Sequence, residues 1–176
     1  GSWIYPEASV LHIGAVPLFS GFMYAAVGSY IARVQRIFHI RVRRYPPLWT
    51  TWLLAAAIYV NFFAHHWGPD VRLLLFAATG VLFLRTRFFF TPDRLRLSMP
   101  ALLGFLLVAV FIWLAENVGT WSRAWLYPSQ QAHGWSPVSL AKLGSWYLLM
   151  IVSVVLVSLV QTPRPESERS GVRDPG

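Results

Sequence analysis

The chain has 176 residues, of which 56% are hydrophobic and only 12% charged; nine are Trp and none is Cys. An ordinary soluble domain carries about a quarter of its residues as charges, so the composition is that of an integral membrane protein, and the lack of Cys excludes a disulfide, a thiolate metal site and a thiol nucleophile. The net charge of +8 comes from Arg residues set between apolar runs rather than along one amphipathic face, which the positive-inside rule accounts for without nucleic-acid binding.

Taken in order, the apolar runs predict an all-α fold, a polytopic transmembrane bundle with five membrane helices in residues 1–161. A bilayer core needs about 20 apolar residues per helix. The first helix is expected at about 13–32, where Gly21, Ala25 and Ser29 fall four apart as a small-residue stripe. The second, at 47–64, begins at Pro46-Pro47, where a missing amide is harmless in the first helical turn. The third, at 71–90, is free of charge only over 73–84 and needs Arg72 and Arg85 to snorkel to the two interfaces. The fourth lies at 99–115, opened by Pro100, and the fifth at 140–160. Residues 162–176, with Pro, Ser and mixed charges, read as a disordered cytoplasmic tail.

Charge then orients the bundle. Segments 33–45 and 85–98, together with the tail, hold twelve of the fifteen Lys and Arg residues, and alternation of five helices sets all three on one side. The expected location is the inner (plasma) membrane, multi-pass, with the start of the chain extracytoplasmic and its end cytoplasmic. A two-fold internal repeat is visible as well. Trp3-Ile-Tyr-Pro6 and Trp125-Leu-Tyr-Pro128 share Trp-x-Tyr-Pro, and each is followed by a Gly that opens an apolar run, Gly21-Phe-Met or Gly144-Ser-Trp. The second copy has a helix and Glu116 ahead of it and the first has nothing, so helices N-terminal to residue 1 are expected to be missing.

The polar residues of interest gather on the outer side. Glu116 is the candidate catalytic acid, because a carboxylate at the end of an apolar helix is costly enough to want a reason. The candidate ligand-binding residues are Asn61, His65, His66, Asn117, Trp121, Tyr127, Lys142, Trp3 and Tyr5. Each has a plainer reading. Glu116 would pair with Lys142, Arg123 or a histidine, Asn61 would bond across to Glu116 or Asn117, and the Trp and Tyr residues would form an interfacial aromatic belt. Adjacent histidines diverge by about 100° on a helix, so His65 and His66 with Asp70 could share an ion only in a loop, and no metal site is assigned. No nucleotide loop or His-Glu-x-x-His motif occurs, and no cofactor is identified.

At these residues the chain resembles an uncharacterised family of bacterial integral membrane proteins, domain of unknown function 817. The matching stretches are Gly1-Ser-Trp-Ile-Tyr-Pro-Glu7, the run from Val16 through Gly21-Phe-Met to Tyr30, Ala55-Ala-Ala-Ile-Tyr-Val-Asn-Phe-Phe63 with His65-His66, Phe111-Ile-Trp-Leu-Ala-Glu-Asn117 and Ser139-Leu-Ala-Lys-Leu-Gly-Ser-Trp146. The resemblance implies further helices before Gly1-Ser-Trp and no assigned activity. Glu116-Asn117 followed by Trp125 and Tyr127 is also similar to the acid-Asn, aromatic-x-Tyr pattern of small membrane lycopene cyclases. Where those cyclases carry a Pro and paired glutamates, this chain reads Val16-Pro-Leu-Phe-Ser and Val138-Ser-Leu-Ala-Lys, so the likeness implies an isoprenoid or other lipid held in a related fold rather than cyclisation. Three functions follow as expectations: binding of, or action on, a lipid-like small molecule at the outer face, with membrane lipid as partner; a carrier or channel; and a structural membrane subunit without catalysis.

Overall fold

A computed structural model describes residues 11–13, 16–64, 69–93 and 95–160. A short antiparallel pair, β1 (His12–Ile13) and β2 (Val16–Pro17), leads into α1 (Phe19–Ile37). That helix ends at Phe38, and His39, at a φ of 48°, turns the chain into β3 (Arg41–Arg43). Two antiparallel helices follow, α2 (Leu48–Ala64) and α3 (Arg72–Phe83). The chain then forms a hairpin of β4 (Arg87–Phe90) and β5 (Leu97–Pro100), runs directly into α4 (Ala101–Trp121), and returns through the short α5 (Pro128–His133) to α6 (Leu140–Val160).

The core is an antiparallel α4–α6 hairpin with α2 and α3 against it. Ile151 and Val155 of α6 are buried with Leu54 and Ile58 of α2 and Phe105 of α4. A chain of edge-to-face rings continues this core toward the sheet: Tyr45 meets Phe83 at 5.9 Å, Phe83 meets Phe105 at 5.3 Å, and Phe105 meets Phe88 at 5.7 Å. Such pairs add about 0.5–1.5 kcal/mol each beyond their buried area.

The three-stranded antiparallel sheet has the order β3-β4-β5, with Val42 opposite Phe88 and Phe88 opposite Met99. Buried Thr86 ties it to the helices. Its hydroxyl donates to the Arg44 carbonyl at 3.0 Å, and its own carbonyl accepts from the Ala101 amide at 2.9 Å. At the other end the Thr91 amide donates to the Phe38 carbonyl at 3.0 Å, fastening the sheet to the end of α1.

The expectation of an all-α bundle of five membrane helices is corrected. Among the described residues only Ala101–Trp121 and Leu140–Leu159 are both long and apolar enough to cross a membrane. The remaining runs fail for local reasons. Residues of α1 near its end include Arg33, Gln35 and Arg36, α2 has 17 residues, and α3 has 12. The third expected span, 71–90, breaks because Thr86 hands its hydrogen bonds to neighbouring segments and the three Phe residues that follow enter a strand. Aromatic residues fit the pleated surface of a sheet as well as they fit lipid. The basic segments expected as loops are in part strand and in part helix: Arg41 and Arg43 lie in β3 and Arg87 in β4, while Arg33 and Arg36 belong to α1. The first half of the proposed repeat, Trp3-Ile-Tyr-Pro6, and the tail at 162–176 lie outside the described residues.

Candidate functional site

Glu116 sits one turn and a half before the end of α4 and is 3% exposed. Each carboxylate oxygen has one donor. The Tyr127 hydroxyl donates to Oε1, and the Trp146 indole N–H donates to Oε2 at 2.5 Å. Trp146 faces α4 from α6, so the carboxylate joins the two long helices and the loop between them. A cation was the expected partner; two neutral donors hold it instead. Lys142 lies over Tyr127, its Nζ 4.7 Å from the ring centre, where the ring's negative face attracts it.

Asn117 secures the other end of the loop. Its Oδ1 accepts from the Val138 amide at 2.9 Å and its Nδ2 donates to the Trp113 carbonyl at 2.8 Å. The Trp113 indole donates in turn to the Val138 carbonyl at 3.1 Å, and the Trp135 indole donates to Thr120 Oγ1 at 3.2 Å. Inside the loop, Pro128 opens α5, and Gln130 closes a capping box by accepting from the Tyr127 amide at 3.2 Å. The Gln130 Nε2 donates to the Ser136 carbonyl at 2.7 Å. Gly119 is required at its position because a Cβ there would run into the Trp125 ring. The loop is thus pinned at every turn, and the buried polar groups at this end are matched to partners, as low-dielectric burial demands.

Of the residues singled out in the sequence, Glu116, Asn117, Tyr127 and Lys142 come together here. Trp121 is 69% exposed at the end of α4, apart from the network. Asn61, in the last turn of α2, reaches across to the start of α3, where its Nδ2 donates to Asp70 at 3.3 Å and its Oδ1 accepts from the Val71 amide at 3.1 Å. Asp70 also pairs with Arg72 at 3.2 Å. Trp3, Tyr5, His65 and His66 lie outside the described residues, and among the described residues no group of three potential metal ligands occurs. Trp146, Gln130 and Trp113 were not singled out as site residues. The Tyr127-x-x-Gln130 spacing after Pro128 is a legible capping signal, whereas nothing in the sequence pairs Trp146 with Glu116 across thirty residues.

A second feature lies at the opposite end, beside the sheet. A half-open apolar groove of about 1100 Å³ runs along the first half of α4. Tyr30 and Val34 of α1 form one wall, Phe88 and Phe90 of the sheet another, and Phe105 and Val108 of α4 the floor. Gly104 lets the sheet close on α4, since a Cβ there would meet the Phe88 ring at 3.3 Å. Arg36 is the one charged side chain among the described lining residues. Tyr45 also lines the groove, and its hydroxyl is the single buried side-chain polar atom without a hydrogen-bond partner among the described residues.

Comparison with known proteins extends this picture by kinship alone. The chain is 40% identical over 174 residues to the uncharacterized protein YoaT of Bacillus subtilis (strain 168), an alignment covering 99% of this chain and 66% of that protein. The chain therefore spans slightly less than two thirds of that relative. No solved structure matches it. The model of a family described as protein of unknown function (DUF817) matches residues 1–154, and the chain belongs to that family.

Proposed function

We propose that the chain forms the groove-bearing part of a multi-pass membrane protein that binds a lipid-like or isoprenoid-like molecule, whose apolar tail lies along α4 between α1, α6 and the sheet. The observation that carries this reading is the groove itself. Its volume of about 1100 Å³ lies just above the usual range of ligand pockets, roughly 300–1,000 Å³, and its lining offers aromatic and aliphatic carbon with Arg36 as the charged exception among the described residues. The unpartnered Tyr45 hydroxyl supports it further, because a buried hydroxyl left unmatched costs about 1–3 kcal/mol that a ligand oxygen would recover.

The membrane setting rests on α4 and α6. At 21 residues each and about 1.5 Å per residue, both reach across a hydrocarbon core of about 30 Å. Large apolar residues face outward along α4, Phe111 at 73% and Val118 at 63% exposure. The arginine-rich sheet end then belongs on the cytoplasmic side and the 122–139 loop outside. In this arrangement the ligand lies at the arginine-rich end, and Glu116, enclosed by its two donors, fastens the helices at the other. That closure supports a structural role for the outer end, the third of the functions expected from sequence.

Native mass spectrometry of gently extracted full-length protein, with lipid extraction of the same sample, tests the reading. Wild type should carry a stoichiometric apolar molecule, and Val108→Trp, which fills the groove floor, should lose it. Absence of any such molecule from wild type, as when protein rather than lipid fills the groove, would end the proposal, and so would equal occupancy in the variant.

A further inference from the structure

The arginine-rich end carries a second surface that the groove does not use. Successive strand residues point to opposite faces, and in β3 Val42 is buried between exposed Arg41 and Arg43. Pairing puts Arg43 opposite Arg87, Arg41 opposite Phe89, and Phe89 opposite Ser98. Arg41, Arg43, Arg87, Phe89 and Ser98 therefore share the outer face, while Val42, Phe88 and Met99 share the face toward the helices. Two contacts agree with that division. The Arg96 guanidinium lies 5.3 Å from the centre of the Phe89 ring, and Arg87 donates to Ser98 Oγ at 3.4 Å. Four guanidinium groups thus gather on one side of three short strands. The carboxylate of this hairpin, Asp93, is in the β4–β5 turn, at the far end from the Arg43–Arg87 pair.

Like charges placed directly opposite each other across strands repel, and an anion shared between them turns repulsion into attraction. Arginine's planar fork suits phosphate oxygens in particular, which it can bind through two parallel hydrogen bonds. Position narrows the anion further. β5 ends at Pro100 and α4 begins at Ala101, so when α4 crosses a bilayer the basic face stands where the headgroups begin. We propose that the outer face of the β3-β4-β5 sheet is a docking surface for the phosphate-bearing headgroups of an anionic lipid leaflet, with Arg41, Arg43 and Arg87 as its contact residues. The inference rests on α4 being a membrane helix, and it is independent of whether the groove is occupied.

The test is a titration of the full-length protein in mild detergent with phosphatidylglycerol or phosphatidylcholine, followed by native mass spectrometry at two salt concentrations. Wild type should prefer phosphatidylglycerol, and salt should weaken the preference. Each arginine near an anionic surface is worth about a fivefold change, so Arg41→Gln, Arg43→Gln and Arg87→Gln combined should reduce affinity on the order of a hundredfold. The same three positions changed to Lys, which keep the charge and lose the two-pronged contact, should fall between wild type and the Gln variant, which keeps the test decisive if the Gln variant folds poorly. Arg123→Gln, just past the other end of α4, and Val108→Trp, in the groove, should leave the wild-type preference unchanged. Equal binding of the two lipids by wild type, or undiminished phosphatidylglycerol binding by the Gln variant, overturns the proposal. A stronger preference for a polyglutamate peptide at matched charge also overturns it and reassigns the face to a soluble acidic partner.

Discussion

The carboxyl group of Glu116 shows how a buried acid can be satisfied by two neutral donors. Its two oxygens take an O–H and an indole N–H, and removal of either donor leaves a buried acceptor bare. Tyr127→Phe and Trp146→Phe should each destabilise the protein by about 1.5–3 kcal/mol, the range for hydrogen bonds to charged groups. Because both act on one carboxylate, the double variant should depart from the sum of the singles. Thermal unfolding in detergent checks this, and unchanged midpoints for both singles would refute a holding role for Glu116. At the other end Tyr45→Phe should leave stability unchanged or raise it, since the deleted hydroxyl has no partner among the described residues. The same change should lower occupancy of the groove by the co-purified molecule, as measured by mass spectrometry; retention at the wild-type level would detach Tyr45 from the ligand.

At the scale of elements, the α4–α6 hairpin is set by its loop as much as by its apolar faces. Trp125 lies on Gly119, and the side chain of Asn117 and the indole of Trp113 both bond the backbone of Val138. Gly119→Ala should force the Trp125 ring off α4, an overpacking cost of about 1–3 kcal/mol. Limited proteolysis should then cut within 122–139 in the variant and spare wild type. Equal resistance would mean that the ring yields without moving the loop. The interrupted third apolar run makes a related point. Residues 71–90 resemble a weak span by hydropathy, yet the chain leaves the helix at Phe83 and pairs Phe88 with Val42 in the sheet. Helix and strand compete for an aromatic run, and the competition was decided by β3, which lies more than forty residues earlier in the chain.

For the whole molecule, the two ends of α4 differ in character: arginines and an apolar groove at the sheet end, a closed hydrogen-bonded cap at the loop end. The proposed crossing can be read directly, because the chain has no native Cys. With Ser122→Cys and Asp93→Cys introduced singly, an impermeant maleimide should label the first in intact cells and the second only after permeabilisation. Labelling of both from the same side would remove α4 as a crossing helix, and with it the interfacial position of the basic face.

The sequence by itself determined the apolar character of the long helices, the segregation of the arginines and the proximity of Glu116, Asn117 and Tyr127, because these depend on composition and on neighbours close along the chain. A helix closes its hydrogen bonds four residues away, so its signal is local. Tertiary structure alone decided the sheet, the groove and the second donor to Glu116. The partners of Phe88 are Val42 and Met99, that of Glu116 is Trp146 thirty residues on, and the groove needs α1, α4, α6 and the sheet at once. Such pairings are made between distant segments whose individual signals, an aromatic run or a Gly-Ser-Trp step, are equally compatible with burial in lipid.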